Sequence, residues 1–150
     1  MVMPQIQHSI LIRKPAAQIF DYLTTPKHWP DFHPASLEET GATEHPLQVG
    51  DRHRERFRTR GWTGYINWTT LEADRPFHFR IRGEVEGIGG NILITFRTVE
   101  RPDGAELLRE LEYTRSNWLL RLIDKLYLHG HMTRESLTAW QQLKRNLESC

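Results

Sequence analysis

Cysteine is almost missing from this chain: of its 150 residues only Cys150 carries a thiol. One thiol closes no intrachain disulfide and builds no Cys-based zinc site, so stability has to come from packing, and a reducing, cytoplasmic setting is expected. Charge of one sign is missing too. The 20 Lys and Arg face 19 Asp and Glu, a formal +1, which supplies no global field for nucleic acid or an acidic membrane. No apolar run approaches the roughly 20 residues of a membrane span, and the opening MVMPQIQHSILIRKP lacks the basic region and small-residue cleavage site of a secretory leader. Linkers, repeats and low-complexity tracts are absent as well, so one domain over residues 1–150 is expected.

What is present is a change of hydrophobic period along the chain. Ile6, His8, Ile10 and Ile12 alternate, which predicts a strand half-buried on that face. Pro15 suits a first helical turn. Ala16, Ile19, Phe20 and Leu23 follow at helical spacing, so a short amphipathic helix should run to about Thr24 and stop before Pro26. Residues 28–34 should make a compact turn pinned by Trp29 and Phe32. Between residues 36 and 116 the period is two, broken by turn signals at Gly41, Gly50, Gly61, Asp74-Arg75-Pro76, Gly87 and Pro102-Asp103-Gly104. That spacing describes consecutive antiparallel strands, with Phe77, Phe79, Ile81 and Val85 sharing an inward face. After Asn117 the period is helical again: Leu119, Leu122, Leu126, Gly130, Thr133, Leu137, Trp140, Leu143 and Leu147 fall on one stripe, weakened at Gly130 and Thr133.

This order of elements resembles the START-like helix-grip superfamily (SRPBCC), and within it the polyketide cyclase/dehydrase-like group. The resemblance is carried by Ile10-x-Ile12-x-x-Pro15 entering the first helix, Trp29-Pro30-x-Phe32-His33-Pro34, Val49-Gly50-Asp51 opening a strand, and Leu143-Lys144-x-x-Leu147-Glu148 closing the last helix. It implies an α+β fold: a curved antiparallel sheet of about seven strands around a long C-terminal helix, with two short helices after the first strand. It also implies a cavity between sheet and helix for a small apolar or amphipathic molecule.

The residues themselves supply the candidate chemistry. Arg52, Arg54, Arg56, Arg58 and Arg60 share one face of their strand, which must be solvated, so His53, Glu55 and Phe57 point the other way. By the same alternation Arg109 joins Leu107, Leu111 and Tyr113 and is placed to neutralise Glu55. Buried ionisable groups must pair or shift their pKa, so His53 and Glu55 are candidate acid/base residues and, with Arg109, candidate polar contacts for a ligand. A purely structural ion network would leave the same trace. Ile66 and Trp68, with Phe79, Ile81, Ile94 and Phe96, are candidate apolar lining or ordinary core. On the helix, Leu126, His129, Gly130, Thr133 and Leu137 are candidate contacts. Gly130 reads either as room for a ligand or as close helix–sheet packing, since an interior glycine costs about 1 kcal/mol relative to alanine.

Other chemistries find little footing. His129-x-His131 sets its rings roughly 200° apart around a helix, no carboxylate or cysteine spacing supports His28 and His33, and no metal or cofactor is expected. Gly83, Gly87, Gly89 and Gly90 join strands and open no helix, so they cradle no phosphate, and no Gly-x-Ser-x-Gly elbow is present. Three functions stay open: binding or carriage of a small hydrophobic molecule, a cyclase/dehydratase acting through polar cavity residues, and a regulatory protein-interaction domain. None calls for nucleic acid or membrane insertion, and composition carries no signal for ligand identity or oligomeric state.

Overall fold

The structure, a computed structural model, describes residues 5–59, 61–87, 91–114 and 129–149. Strand β1 (Gln5–Ile12) leads into α1 (Ala16–Thr24), then a 3-10 turn (Pro26–His28) and α2 (Trp29–Phe32). Six strands follow: β2 (Ser36–Gly41), β3 (Arg52–Thr59), β4 (Trp62–Asp74), β5 (His78–Val85), β6 (Asn91–Arg101) and β7 (Gly104–Thr114). Helix α3 (His129–Glu148) closes the chain. The strands form one antiparallel sheet in the order β1-β7-β6-β5-β4-β3-β2. Among the described residues no helix is long and apolar enough to cross a membrane.

Alternation decides the faces. Along β3 the exposed residues are Arg52, Arg54, Arg56 and Arg58, while His53, Glu55 and Phe57 are buried; Arg54 meets Glu86 (2.7 Å) across the solvent face. Ile66, Trp68, Phe79, Ile81, Ile94, Phe96, Leu107, Arg109, Leu111 and Tyr113 all turn inward, as their spacing predicts. Phe77 does not: it is 48% exposed, because it lies in the turn where its N–H reaches Asp74 O (2.8 Å) before β5 begins.

Two glycines make room for aromatic rings on that inner face. Trp68 is paired with Gly83 across the β4–β5 ladder, and a Cβ at Gly83 would stand 2.8 Å from the Trp68 ring. Gly64 opposes Phe57 in the same way, with a notional contact of 2.9 Å. Both rings come close to backbone that has no side chain of its own.

Helix α1 covers part of the inner face, with Ile19, Phe20 and Leu23 buried and Phe20 edge-on to Phe79 at 6.2 Å. Trp29 Nε1 donates to Leu23 O (2.9 Å), which locks α2 onto α1. The C-terminal half of α3 is fastened to the same end of the sheet. Leu143 and Leu147 are buried there, Lys144 Nζ donates to Leu11 O (2.6 Å), Arg13 N to Glu148 Oε2 (2.9 Å) and Asn146 Nδ2 to Asp31 O (3.0 Å).

The buried stripe of α3 is Ser136, Ala139, Trp140, Leu143 and Leu147. Leu137, expected to face the sheet, is 44% exposed. The reason is helical phase: at about 100° per residue, Ser136 and Leu137 lie on opposite sides of Trp140, and α3 is rolled towards Ser136. The expectations for Leu119, Leu122 and Leu126, and for the side chains of His129 and Gly130, fall outside the described residues.

Gly83→Ala should cost about 1–3 kcal/mol, the usual penalty for forcing extra volume into packed surroundings, read as a lower urea midpoint at unchanged m. An unchanged midpoint would mean that the Trp68 ring is not held against the β5 backbone.

Candidate functional site

A cavity of about 150 Å³ lies between α3 and the inner face of the sheet. Its helix side is Ser136, Ala139 and Trp140, and the two short side chains leave the gap that bulkier ones would close. Its sheet side carries Phe57, Ile66, Trp68, Ile94, Phe96 and Leu111, with Glu55 and Arg109 set among them. Trp29, Phe32 and His33 bound the end towards α2. At another edge Trp62 borders the cavity while 44% exposed, so the space reaches the surface there. Beside it Thr59 Oγ1 donates to Glu135 Oε1 (2.6 Å), tying β3 to α3.

The remaining candidates lie elsewhere. Phe79 and Ile81 are fully buried but belong to the solid core, Phe79 between Phe20 and Phe96. Tyr113 is buried away from the cavity, Thr133 is half-buried and off it, and Leu137 faces outward. His53 is buried without bordering the cavity. Its ring stands edge-on to Trp29 at 4.9 Å, and its Nε2 is 3.6 Å from a carboxyl oxygen of Glu39.

Glu39 is the residue that alternation conceals. Counting from the inward Ser36 would turn Glu38 inward, but a bulge between Ser36 and Glu38 shifts the phase and sets Glu39 directly opposite Glu55 in the β2–β3 ladder. The Glu39 side chain is only 1% exposed. Ser36 Oγ donates to Glu39 Oε1 (2.9 Å), Trp68 Nε1 donates to Glu55 Oε1 (3.0 Å), and the two carboxyls share a hydrogen bond. Two ionised carboxylates can only accept, so that bond requires a proton.

Burial, reinforced by the charge of Glu55, pushes Glu39 up to about 10. Burial raises Glu55 as well, against the polar groups of Ser36, Trp68 and Glu39 beside it and the positive charge of Arg109. Burial lowers Arg109 to about 10, and its Nη1 donates to Ser136 Oγ (2.6 Å). His33 accepts the Ala35 N–H on Nδ1 (3.1 Å), which leaves the ring proton on Nε2; burial, then Arg109, push it down to about 3. Burial lowers His53 to about 4. The site therefore holds, at neutral pH, a fixed cation, two neutral imidazoles and a carboxyl pair with at least one proton.

An antiparallel sheet with two short helices after β1 and a C-terminal helix laid across its inner face is the α+β helix-grip architecture. The chain belongs to the family described as polyketide cyclase / dehydrase and lipid transport, which it matches over residues 3–148. Hydrophobic-ligand binding in general goes with that family. Protein CV1439 from Chromobacterium violaceum is similar in fold, with a TM-score of 0.77 at 15% identity and 96% of each chain covered. TTHA0849 from Thermus thermophilus also reaches 0.77, at 11% identity over 97% of this chain and 98% of that one. In sequence, Penitrem biosynthesis cluster 1 protein I of Penicillium ochrochloron is 32% identical over 79 residues, 50% of this chain. The match spans about half of that relative, 52% of its length.

Sequence reasoning missed Glu39, Ser136 and the cavity role of His33. His33 had a signal in its place within the Trp29 to Pro34 motif, and Ser136 with Ala139 had one as a pair of small residues three apart. Glu39 had none, since a bulge leaves no mark on composition.

The pH dependence of stability follows with a definite sign. Folded Glu39 keeps a proton that the unfolded chain releases above 4.5, so its contribution falls as pH rises from 4.5 towards 10. Folded His53 and His33 stay neutral while the unfolded chain protonates them below 6.5, so their contributions fall as pH drops from 6.5 towards 4 and 3. Above 6.5 these histidines are neutral in both states and only the raised carboxyls, Glu39 and Glu55, act, so stability falls as pH rises there. Melting temperatures should fall along the alkaline limb, and Glu39→Gln should make that limb shallower; an alkaline limb as steep in the variant as in the parent would contradict the assignment.

Proposed function

We propose that this protein binds or carries a small hydrophobic or amphipathic molecule in the cavity between the sheet and α3. The observation that carries the reading is an apolar-walled space in the middle of the fold with the Glu55 carboxyl and the Arg109 guanidinium set into its wall and Glu135 at its edge. At about 24 cal/mol per Å³, leaving 150 Å³ empty costs at most about 3–4 kcal/mol. A bound apolar group offsets that cost by filling the gap. The size suits a single aromatic ring or short chain wholly enclosed; drug-sized ligands usually need about 300–1,000 Å³. A longer molecule would have to project past Trp62. Trp29, Trp68 and Trp140 offer ring faces and edges for burial and stacking, and Glu55 with Arg109 orients whatever polar group the ligand carries.

One observation favours a second reading, a cyclase/dehydratase: a carboxyl that can hold or release a proton at the cavity wall. In that reading Glu55 is the catalytic residue, Glu39 positions its proton, and His53, which does not border the cavity, takes no direct part.

Filling the cavity from the helix side separates binding from fold. Single-ring aromatic alcohols should raise the melting temperature of the parent with concentration, as ligand linkage requires. Ala139→Leu should remove that rise while remaining folded. A panel that shifts neither protein, or both alike, would count against the cavity as the binding site.

A further inference from the structure

Among the described residues Arg109 is the only buried Lys or Arg, at 6% exposure. No carboxylate among the described residues is hydrogen-bonded to it. One of its five N–H donors is spent on the neutral hydroxyl of Ser136 (2.6 Å), and its guanidinium carbon lies 5.5 Å from the centre of the Trp140 ring. Glu55 acts on it through space only, and its carboxyl is already engaged by Trp68 and Glu39. A guanidinium in an apolar wall, bordering a cavity, whose one hydrogen-bond partner among the described residues is a neutral hydroxyl, is a receptor for an anion.

Resting on the cavity reading above, the geometry points to a small amphipathic monocarboxylate as the occupant: its carboxylate faces Arg109 and Ser136, its apolar body lies among Trp68, Phe96 and Trp140, and a proton is held on Glu55 while it is bound. The charge must be single. A dianion would leave an unpaired negative charge between apolar walls, a heavy desolvation cost. An amine fits worse, because Arg109 repels it and the Glu55 oxygens are shared with Trp68 and Glu39. The proton follows from the same rule that governs the carboxyl pair. A second negative charge in one dry space raises the pKa of Glu55, so the bound acid and an ionised Glu55 exclude each other.

Affinity for the acid should therefore fall as Glu55 ionises. The other groups around Arg109 do not mimic this. His8, opposite Arg109 on β1, and His33, after α2, are both lowered by burial and by Arg109 itself, so both are neutral above pH 6.5. His53 on β3 is lowered by burial and lies off the cavity. Glu39 on β2 keeps its proton, and Glu135 on α3 sits at the edge of the cavity, where it accepts from Thr59.

The test uses matched probes of equal skeleton: phenylacetate against 2-phenylethanol, and n-octanoate against octan-1-ol. Titration calorimetry on the full chain at about pH 6.5 should show each acid about tenfold or more tighter than its alcohol. As the pH is raised the acids should weaken while the alcohols hold their affinity. Arg109→Met should erase the preference for the acid, and Glu55→Gln should erase its pH dependence. If Arg109→Met fails to fold, the acid-to-alcohol ratio of the parent decides alone. Alcohols that bind while acids bind equally or worse would overturn the inference and leave the cavity reading intact; probes that all fail to bind would overturn both.

Discussion

The inner face of this sheet has to be dry to meet α3, yet strand alternation delivers a carboxyl, a guanidinium and an imidazole to it, and the bulge in β2 adds a second carboxyl. An unpaired charge held away from water costs several kcal/mol, and the fold resolves that cost in three ways. Glu39 and Glu55 share a proton across the β2–β3 ladder, Trp68 and Ser36 supply donors to them, and His53 stays neutral. Arg109 is treated differently: it keeps its charge, beside the cavity between sheet and helix.

That cavity is a product of packing at two ends of one helix. Towards its C-terminus α3 is fixed by Leu143, Leu147 and polar ties to β1, the turn after it and α2. Two turns earlier the residues facing the sheet are Ser136 and Ala139, too short to reach Ile94, Phe96 and Leu111. Among the rings opposite, Trp68 is held out of the gap by its close approach to Gly83 and its hydrogen bond to Glu55. The same indole thus shapes the wall of the cavity and fixes the acid that faces it.

How far the sequence reveals this depends on how local the cause is. Alternation along β3 exposes the inward placement of His53 and Glu55, since period two is set by the backbone alone, and it reveals Arg109 on β7 in the same manner. Pro15, Pro26 and the apolar spacing between them mark α1 for equally local reasons. Glu39 is hidden because a bulge in β2 reverses the phase of an edge strand, and that bulge depends on the pairing with β3. Leu137 departs from its expected place because the roll of a helix is decided by what it packs against; a stripe with Gly130 and Thr133 in it is too faint to fix the phase. The division between cavity wall and solid core, with Phe96 on one side and Phe79 on the other, depends on where α1 ends and α3 begins to cover the sheet, which no single strand encodes.

The proposed function therefore rests on a carboxyl pair that shares a proton in a dry wall and on a buried arginine beside it. The most direct measurement is a titration of the glutamate side-chain carboxyl carbons by carbon-13 NMR, assigned through Glu39→Gln and Glu55→Gln. One carboxyl of the pair should keep the shift of a protonated acid through neutral pH and change only in the alkaline range. Two carboxyls that both titrate in the ordinary glutamate range, about 4.3, would contradict it.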